Sequence, residues 1–323
     1  MRGRIFLIPF FALTWGIAYI IQFVFPRKRY STHPRSFRAL LKWTLTRQPE
    51  PWPRCVEYPS HTLPQSNKGI TATFINHSTV LIQTPHLTLL TDPIFSMRCS
   101  PLPLSGTKRI HAPGIPLRDL PQVDVILLSH NHYDHMDIPT LRQLGNPLIL
   151  TGLGNKKYLE KKGFTHVHEL DWWQSIPLHK HTFTFVPSRH FSARNLVDQD
   201  TTLWGGFVVE TEEGPLYFAG DTAFGPHFNE IRNRWGSPRL ALLPIGAYLP
   251  RWFMQPVHMN PEEAVQAHLA LGAHKSLAIH HGTFPLADES STTQKADFQE
   301  ALHKYTIPSD TFWILEPGES RTC

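Results

Sequence analysis

The motif HNHYDH contains three imidazoles and one carboxylate, which belong to His130, His132, Asp134 and His135. It directly follows the apolar run 123–129, which is typical of a buried strand. In an extended loop the alternate residues His130, His132 and Asp134 point the same way, and His135 adds a donor from the other side. Nitrogen and oxygen donors at this density are typical of zinc sites. The motif therefore predicts a metal site at the end of a strand, with a plain histidine-rich surface loop as the alternative.

Three further donors stand at the ends of later apolar runs: His190 in PSRHFSAR, Asp221 in YFAGDT and His280 in AIHHGTF. Each is ordinary by itself, since a lone histidine is usually structural and an aspartate before threonine is often a turn residue. Together with the first motif they supply five histidines and two aspartates. Such a set is large enough for two adjacent ions with water completing their coordination.

The elements that must bring these residues together are predicted from apolar periodicity. Short runs separated by turn residues predict strands at 71–75, 79–84, 87–91, 123–129, 147–151, 182–187, 203–210, 215–219, 240–244 and 276–280. Helices are predicted at 137–145 and 155–162, and from the Asn260 cap to about Leu271. Strands flanked by helices throughout predict an α+β fold in which helices cover a layered sandwich.

The overall composition limits the function classes. The chain has 323 residues, 41% of them hydrophobic, and a net charge of +5, which excludes a disordered chain and a polybasic scaffold. Beyond the N-terminal region no basic patch interleaved with aromatic residues is visible, so we expect no nucleic-acid partner. The three cysteines lie far apart and form no CxxC pair, which excludes a cysteine-based zinc site.

The N-terminal residues 5–25 form an apolar run without a charged residue. A helix of this length spans a bilayer core of about 30 Å, so we expect a single-pass membrane anchor over residues 1–26. A cleaved signal peptide is the alternative, but the run is longer than the usual apolar core of such peptides and no small-x-small site follows it. Basic residues are more frequent after the run than before it, so we expect the part of the chain that follows the run to lie in the cytoplasm.

The remainder of the chain divides into two parts. Residues 27–69 are basic and rich in proline, which predicts a linker that lies along anionic headgroups or serves as a simple tether. From residue 70 the alternation of apolar runs and turns begins, so we expect the folded domain that carries the metal site to span residues 70–323.

Seven stretches spread over residues 70–320 resemble the N-acyl-phosphatidylethanolamine-hydrolysing phospholipase D family of the metallo-β-lactamase superfamily. They are LTDPIFSMRCSP (90–101), LLSHNHYDHMD (127–137), ELDWW (169–173), AGDT (219–222), PIGAYLPRWFM (244–254), HMNPEEAV (258–265) and IHHGTF (279–284). The HNHYDH motif by itself indicates only the superfamily, whereas the long string from PIGAY to NPEEA is far more specific.

The resemblance implies an αββα sandwich with metal ligands on loops at one edge. It also implies two zinc sites, with His130, His132 and His190 on one ion, Asp134, His135 and His280 on the other, and Asp221 as the bridge. Two ions about 3.5–4 Å apart would share a hydroxide that attacks phosphorus. Iron and manganese stay open alternatives to zinc, because mixed nitrogen and oxygen sites accept each of them.

Further residues receive roles by position in the resembling stretches. Asp134 and His258 are the candidates for passing a proton to the leaving alkoxide, although His258 has a purely bracing role as its alternative. We expect Tyr248, Arg251 and Trp252 to bind substrate. For the two aromatic residues the alternative is core packing, and for Arg251 it is a structural ion pair.

The expected activity is that of a membrane-anchored, dinuclear zinc phosphodiesterase. It would hydrolyse N-acyl-phosphatidylethanolamine, a phospholipid of the membrane, to an N-acylethanolamine and phosphatidic acid. A lactonase or another metal-dependent ester hydrolase of the same superfamily is the nearest alternative. A module that holds metal or lipid without turnover is a third, against which the complete ligand set argues. The oligomeric state, including a homodimer, is left open by the sequence.

Overall fold

A computed structural model describes most of the chain, namely Tyr30 and residues 37–64, 69–102, 104–195 and 197–323. The apolar run 5–25 and the anchor expected over residues 1–26 lie outside the described residues. Among the helices in the described ranges, none has both the length and the apolar character needed to cross a bilayer.

The described residues form two seven-stranded sheets and a short separate hairpin. In chain order the strands are β1 Thr71–Asn76, β2 Thr79–Thr84, β3 Leu87–Thr91, β4 Arg98–Cys99, β5 Thr107–Lys108, β6 Val125–Leu128, β7 Leu148–Gly152, β8 Val167–Leu170, β9 Ser175–Leu178, β10 His181–Val186, β11 Gly206–Thr211, β12 Gly214–Phe218, β13 Leu240–Pro244, β14 Lys275–Ile279, β15 Phe312–Trp313 and β16 Ser320–Thr322. The first sheet has the order β16-β1-β2-β3-β6-β7-β8, and the second has the order β15-β14-β13-β12-β11-β10-β9. Strands β4 and β5 form the hairpin.

Helices cover the outer faces of both sheets. The helices of the described residues are α1 Phe37–Thr46, α2 Ile138–Gln143, α3 Asn155–Lys161, α4 His227–Trp235, α5 Arg251–Met254, α6 Pro261–Leu271 and α7 Ser291–Lys304, with a 3₁₀ turn at Leu117–Asp119. Leu141 of α2 and Leu159 of α3 join the core on the first sheet. Phe228 of α4, Val265 of α6 and Phe298 of α7 do the same on the second sheet. The order of helices, sheet, sheet and helices confirms the predicted αββα sandwich.

Aromatic side chains fill the space between the two sheets. Phe74 of β1 shares this core with Phe183, Phe185, Phe207 and Phe218 from the second sheet. Because helices cover one face of each sheet and the other sheet covers the second face, β1 is buried at every position. The rigid core thereby fixes where each strand ends, and the loops that carry the candidate ligands start at these ends.

The strands that precede the candidate ligands all end at one rim. In the first sheet β1, β3 and β6 share a direction, because β1 and β3 both pair antiparallel with β2 and β3 pairs parallel with β6. In the second sheet β10, β12, β13 and β14 share a direction for the same reason. The amide of His280 donates to the carbonyl oxygen of His77 at 2.8 Å. The carboxyl ends of β1 and β14 therefore meet, and the loops after the other strands converge on the same rim.

Residues 37–64 belong to the segment expected to be a linker, and the structure holds them against the domain. After α1 the chain runs across the surface, where the amide of Val56 donates to the carbonyl oxygen of Ile110 at 2.7 Å. The indole Nε1 of Trp52 donates to the carbonyl oxygen of Glu289 at 2.9 Å. The weak apolar periodicity of this segment gives no sign of these contacts, since they are single hydrogen bonds rather than a buried face. The predicted division into domains stays a prediction.

The elements predicted from the sequence agree with the structure where the signal is local. The helix predicted from Asn260 is α6, and its capping box is complete. Asn260 Oδ1 accepts a hydrogen bond from the amide of Glu263 at 2.9 Å, and the side chain of Glu263 accepts one from the amide of Asn260 at 3.1 Å. Strand β16 was not predicted. Its three residues pair with β1 from the far end of the sequence, and a partner so distant leaves no local pattern.

Candidate metal centre

One group of donors combines His130, His132, His190 and Asp221. The first two lie in the loop after β6, while His190 follows β10 and Asp221 follows β12. The Nδ1 of His132 lies 2.8 Å from His130 Nε2 and 3.3 Å from His190 Nε2. The Oδ2 of Asp221 lies 3.9 Å from His130 Nε2 and 3.7 Å from His190 Nε2. The four donor atoms therefore enclose one small volume.

A second group combines Asp134, His135 and His280 with His77, which follows β1. The Oδ2 of Asp134 lies 3.2 Å from His77 Nε2. The same oxygen lies 3.4 Å from the Nε2 atoms of both His135 and His280. Loops from both sheets thus contribute to this group as they do to the first.

Asp221 faces both groups. Besides its distances to the first group, its Oδ2 lies 3.2 Å from the Nε2 atoms of His135 and His280. Its other oxygen, Oδ1, is buried and has no hydrogen-bond partner among the described residues. Asp221 therefore has the position that a bridging ligand between two ions requires.

Neighbouring groups hold the outward nitrogens of two of these imidazoles. The Nδ1 of His135 donates to Asp92 Oδ2 at 2.6 Å. The Nδ1 of His190 donates to the carbonyl oxygen of Val257 at 2.9 Å. Such bonds fix the tautomer and the ring orientation of metal-binding histidines, because only the opposite nitrogen is then left to accept a metal ion.

Burial and mutual proximity set the charges of the donors. Burial lowers the pKa of His190 to about 3 and the pKa of His77 to about 3. Burial alone would raise the pKa of Asp221, but the adjacent His135 and His280 hold it well below its ordinary value. At neutral pH the first two imidazoles are thus neutral and the carboxylate is ionised, which are the forms that bind metal.

The backbone at the rim is held in unusual conformations. The φ angles are +48° at His77, +31° at Asp92, +59° at Ala247 and +58° at His280. Residues with side chains rarely adopt this region, and each instance costs roughly 1–3 kcal/mol. Strain of this kind persists where the surrounding structure dictates it and is concentrated at functional sites.

The backbone conformation and the close neighbours of Gly220 explain why the AGDT stretch has a glycine at this position. Its φ is +60°, and a Cβ added there would lie 2.6 Å from the Cβ of Ser129 and 2.8 Å from the carbonyl oxygen of Gly205. Any side chain would therefore push apart the loops that carry His130 and Asp221. The glycine allows the close approach on which the first donor group depends.

A cavity of about 190 Å³, here called the cluster cavity, opens beside the donors. The polar part of its lining consists of His132, Asp134, Asp221, His258 and His280. The apolar part consists of Trp43, Phe191, Ala247, Met254 and Leu286. A ligand in this cavity would thus meet both charged donors and hydrocarbon.

The donor set fits metal ions. Donors that share a tetrahedral ion at about 2.0–2.1 Å lie roughly 3.3 Å apart, and the short contacts within the first group range from 2.8 to 3.9 Å. In the second group they range from 3.2 to 3.4 Å. The Nε2 atoms of His135 and His280 are buried without a hydrogen-bond partner in the described part of the chain. Ions at these two places would satisfy them.

Comparison with known proteins agrees with this geometry. The profile of the beta-lactamase superfamily domain matches residues 88–281. The N-acyl-phosphatidylethanolamine-hydrolyzing phospholipase D 1 of Caenorhabditis elegans is 38% identical over 270 residues, which cover 79% of this chain and 76% of the nematode protein. The chain belongs to this family. The mitochondrial enzyme of the same name from Saccharomyces cerevisiae is 37% identical over 213 residues, 63% of this chain and 45% of the yeast protein.

A solved structure supports the fold of this member of the phospholipase D family. The isothiocyanate hydrolase from Delia radicum gut bacteria aligns with a TM-score of 0.64 at 21% identity, covering 78% of this chain and 99% of that one. At this identity the likeness concerns the fold alone. Family membership and the donor cluster together identify a metal-dependent hydrolase of the metallo-β-lactamase superfamily.

All seven sequence-predicted ligands of this family member lie in the two donor groups, divided as the resemblance implies. Their action as ligands stays a prediction. The two candidates for proton transfer, Asp134 and His258, both line the cluster cavity. The ring of His258 lies 5.0 Å from that of His190 and 5.3 Å from that of His280, measured between centroids.

The three residues predicted to bind substrate lie elsewhere. Among the described residues that line the cluster cavity, none is Tyr248, Arg251 or Trp252. The hydroxyl of Tyr248 donates to Asp297 at 2.5 Å, and Trp252 is 46% exposed. The role of these three residues in binding substrate stays a prediction.

Arg251 has protein partners on both arms of its guanidinium. Its Nη2 lies 2.6 Å from Glu263 Oε2, and its Nη1 donates to the carbonyl oxygen of His258 at 3.2 Å. The guanidinium therefore braces the segment that presents His258. The contact with Glu263 is a structural ion pair, the alternative that the sequence offered beside substrate binding by Arg251.

Two residues at the site were missed from the sequence, His77 and Asp92. Each lies at the end of a predicted strand, which was the signal that identified His190 and His280. Asp92 accepts from the amide of Ser129 at 2.7 Å as well as from His135. It stands in the LTDP stretch that carries part of the resemblance, but nothing in that stretch alone indicates its contact with His135.

Proposed function

We propose that this protein is a dinuclear zinc phosphodiesterase of phospholipase D type, which hydrolyses N-acyl-phosphatidylethanolamine to an N-acylethanolamine and phosphatidic acid. The observation that carries the proposal is the pair of donor groups sharing Asp221 beside an apolar cavity wall. The printed names of the nematode and yeast relatives support the same substrate.

The residues at the cavity have distinct roles in this reaction. His130, His132, His190 and Asp221 would hold one ion, and Asp134, His135, His280 and His77 would hold the other, with Asp221 shared. Ions bound there would activate water and neutralise the charge that develops on the phosphate oxygens. The bond that breaks joins phosphorus to the ethanolamine oxygen, and that oxygen must receive a proton as it leaves.

Two side chains are placed to supply that proton. Asp134 and His258 both belong to the polar part of the lining of the cluster cavity. Asp134 is also in contact with three imidazoles, which hold its pKa well below the ordinary value although burial opposes them. Because an ionised carboxylate has no proton to give, we propose His258 as the proton donor and Asp134 as a ligand.

The apolar part of the cavity lining is suited to an acyl chain. Trp43, Phe191, Met254 and Leu286 line the cavity together with the donors, so a phosphate at the donors would place its hydrocarbon against them. Trp43 is held in place by stacking on Phe253, with ring centroids 4.9 Å apart. Helix α1 is thus part of the cavity wall as well as part of the molecular surface.

The exposed leucines of α1 are suited to a membrane surface. Leu40, Leu41 and Leu45 are 40%, 46% and 75% exposed. Beside them Lys42 Nζ lies 4.6 Å from the ring of Trp252. Exposed leucines next to a cation and an aromatic ring are typical of helices that lie in a membrane interface. We therefore propose a membrane-bound enzyme with its cavity at the bilayer, anchored by residues 1–26 and facing the cytoplasm.

The central experiment measures lipid products by mass spectrometry. Full-length protein is stripped with EDTA, reloaded separately with zinc, iron or manganese, and incubated with N-acyl-phosphatidylethanolamine or with a lactone. We expect N-acylethanolamine and phosphatidic acid in equal amounts, with the highest rate for zinc. Turnover of the lactone without turnover of the lipid would contradict the phosphodiesterase and favour a lactonase.

A second experiment tests the membrane contact. Leu45→Ser is compared with Leu269→Ser, which removes a leucine that is 44% exposed on α6. We expect the first change alone to lower the rate on substrate in vesicles, while both variants hydrolyse a soluble short-chain substrate at the wild-type rate. Equal rates of both variants on vesicles would rule out α1 as the contact.

A further inference from the structure

A second and larger cavity lies on the other side of the HNHYDH loop. Its volume is about 510 Å³, and we call it the basic cavity. Tyr133, Met136 and Asp137 line it, whereas His132 and Asp134 of the same loop line the cluster cavity. No described residue lines both, so the two cavities are separate.

Four cations surround the basic cavity: Arg98, Arg142, Lys162 and Arg194. Among the described residues, no carboxylate lies within 4.0 Å of the charged nitrogens of any of them. Arg98 and Arg142 donate only to carbonyl oxygens in the described part of the chain, those of Gly106 at 2.6 Å and of Lys162 at 3.5 Å. Carboxylates of the described residues thus leave the positive charge of these four side chains without a direct ion pair.

The one acidic residue in the wall, Asp137, is already engaged. Its Oδ1 accepts from the hydroxyl of Ser96 at 2.9 Å. Its Oδ2 accepts from the amide of Ser96 at 3.1 Å and from the hydroxyl of Thr140 at 2.5 Å. The wall therefore carries four positive charges and one negative charge that is turned to its own neighbours.

Arg194 connects the basic cavity to the metal-site loop. Its Nη1 donates to the carbonyl oxygens of Asn131 and Met136 at 2.7 and 3.1 Å, which lie at the two ends of the loop. Its guanidinium lies 4.0 Å from the ring of Tyr133. Its Nε is buried and has no hydrogen-bond partner among the described residues. These contacts hold the guanidinium of Arg194 at the wall of the basic cavity, where it contributes a positive charge.

The remaining wall and rim of the basic cavity are apolar. Met136, Ile138 and Pro139 line the wall. At the rim Met97 and Leu102 are 56% and 60% exposed. A fully polar anion would leave these side chains in water, whereas a molecule with a hydrocarbon part would cover them.

We propose that the basic cavity binds the phosphate group of an anionic amphiphile, of which a phospholipid with a terminal phosphate monoester is the simplest example. Arginines bind phosphate oxygens through paired, charge-assisted hydrogen bonds, and Lys162 adds a compact charge. The site is separate from the cluster cavity, and its occupation does not depend on the hydrolase proposed above.

The test is equilibrium binding to full-length, EDTA-stripped protein in a nonionic detergent. Calorimetry is carried out with dihexanoyl phosphatidic acid, dihexanoyl phosphatidylcholine and inorganic phosphate. The variant Arg142→Ala/Lys162→Ala should weaken the binding of phosphatidic acid about tenfold or more, since two charged hydrogen-bond donors are lost. Phosphatidylcholine should bind at least about tenfold more weakly than phosphatidic acid to the wild type.

Matched variants separate the cavity from general charge. The control variant Lys157→Ala/Lys161→Ala removes two exposed cations of α3, the helix that ends just before Lys162. Neither of these two cations lines the basic cavity. The control variant should bind phosphatidic acid as the wild type does, and so should Arg142→Lys/Lys162→Arg, which keeps both charges. Equal weakening in both alanine pairs would show nonspecific attraction and overturn the site. Equal affinity for phosphatidylcholine would overturn it too.

Inorganic phosphate distinguishes the two sources of the anion. A higher affinity for phosphatidic acid than for inorganic phosphate supports the amphiphile, provided that Arg142→Ala/Lys162→Ala loses the binding of both ligands. Binding of phosphate with equal affinity would overturn the amphiphile and leave a site for free phosphate. No binding of either ligand would overturn the proposal entirely.

Discussion

The two cavities on either side of the HNHYDH loop hold their charges in different ways. At the cluster cavity the charged groups are buried and lie against one another, as when Asp221 contacts His135 and His280 at 3.2 Å. At the basic cavity Arg142 and Lys162 are exposed to solvent and have no carboxylate partner in the described ranges. Residues of the same loop contribute to the walls of both cavities.

This difference shows what burial demands of an ionisable group. A buried charge needs an opposite charge or hydrogen-bond donors, or it gives up its charge. The cluster meets the demand with carboxylates among imidazoles, and the result is a set of donors that only a cation completes. The basic cavity avoids the demand by leaving Arg142 and Lys162 in water, and the result is a site that an anion completes. Variants and solution conditions can test this contrast, beginning with the largest expected effect.

The replacement Asp221→Ala should have the largest effect. It removes the oxygen that both donor groups share, so we expect the bound metal to fall and hydrolysis to drop roughly 10³-fold or more. Metal content is measured by elemental analysis and hydrolysis by lipid products. Asp119→Ala, at an exposed position in a 3₁₀ turn, should change neither the metal content nor the rate of hydrolysis. Asp221→Ala should still bind phosphatidic acid at the basic cavity as the wild type does. Full activity in Asp221→Ala would refute the bridging role.

Asp92→Ala should have the next largest effect. Loss of the 2.6 Å bond to His135 Nδ1 frees that ring to turn, and lost outer partners of this kind cost about 10–100-fold in metal affinity. Affinity is measured by competition with a chelator. Asp92→Asn, which can still accept a hydrogen bond, should fall between the wild type and Asp92→Ala. An unchanged affinity in both variants would show that Asp92 does not position the ligand.

His268 tests the same rule away from both cavities. It is buried in α6 with the hydroxyl of Ser276 at 2.8 Å from Nδ1, and burial lowers its pKa to about 4. Between pH 6.5 and 4 the unfolded chain therefore binds a proton that the folded chain does not. The free energy of unfolding is therefore at its full value above this pH window, and the contribution of His268 is lost as the pH falls through the window.

The corresponding variant is His268→Gln. We expect the wild type to lose about 1–3 kcal/mol more unfolding free energy than the variant between pH 7 and pH 4. Urea denaturation at a series of pH values measures the difference. Parallel curves for the two proteins would mean that His268 is protonated as easily in the fold as in water.

Salt should give the smallest effect and should act on one cavity only. Exposed charges are screened more strongly than buried ones. Raising the NaCl concentration from about 0.05 to 0.5 M should therefore weaken phosphatidic acid binding severalfold and leave the metal content unchanged. Calorimetry and elemental analysis on the same samples provide the two readings. Salt-insensitive lipid binding would point to the apolar rim rather than the cations as the source of affinity.

The sequence by itself determined the features that depend on neighbouring residues. Apolar alternation specifies strands such as β1 and β2, and the Asn260–Glu263 capping box starts α6. The HNHYDH motif specifies a dense donor loop because its residues are adjacent in the chain. His190, Asp221 and His280 could be added because each comes shortly after the end of a strand, and the loops after parallel strands begin at the same edge of a sheet.

Tertiary structure decided the features that depend on distant partners. His77 joins the donors only because β1 ends beside β14, and Trp43 reaches the cluster cavity only because α1 docks on Phe253. The side chain of Tyr248 is turned to Asp297 instead of the cavity. Such outcomes arise from packing between segments up to about two hundred residues apart, and side-chain direction there is set by shape and charge that no local pattern encodes.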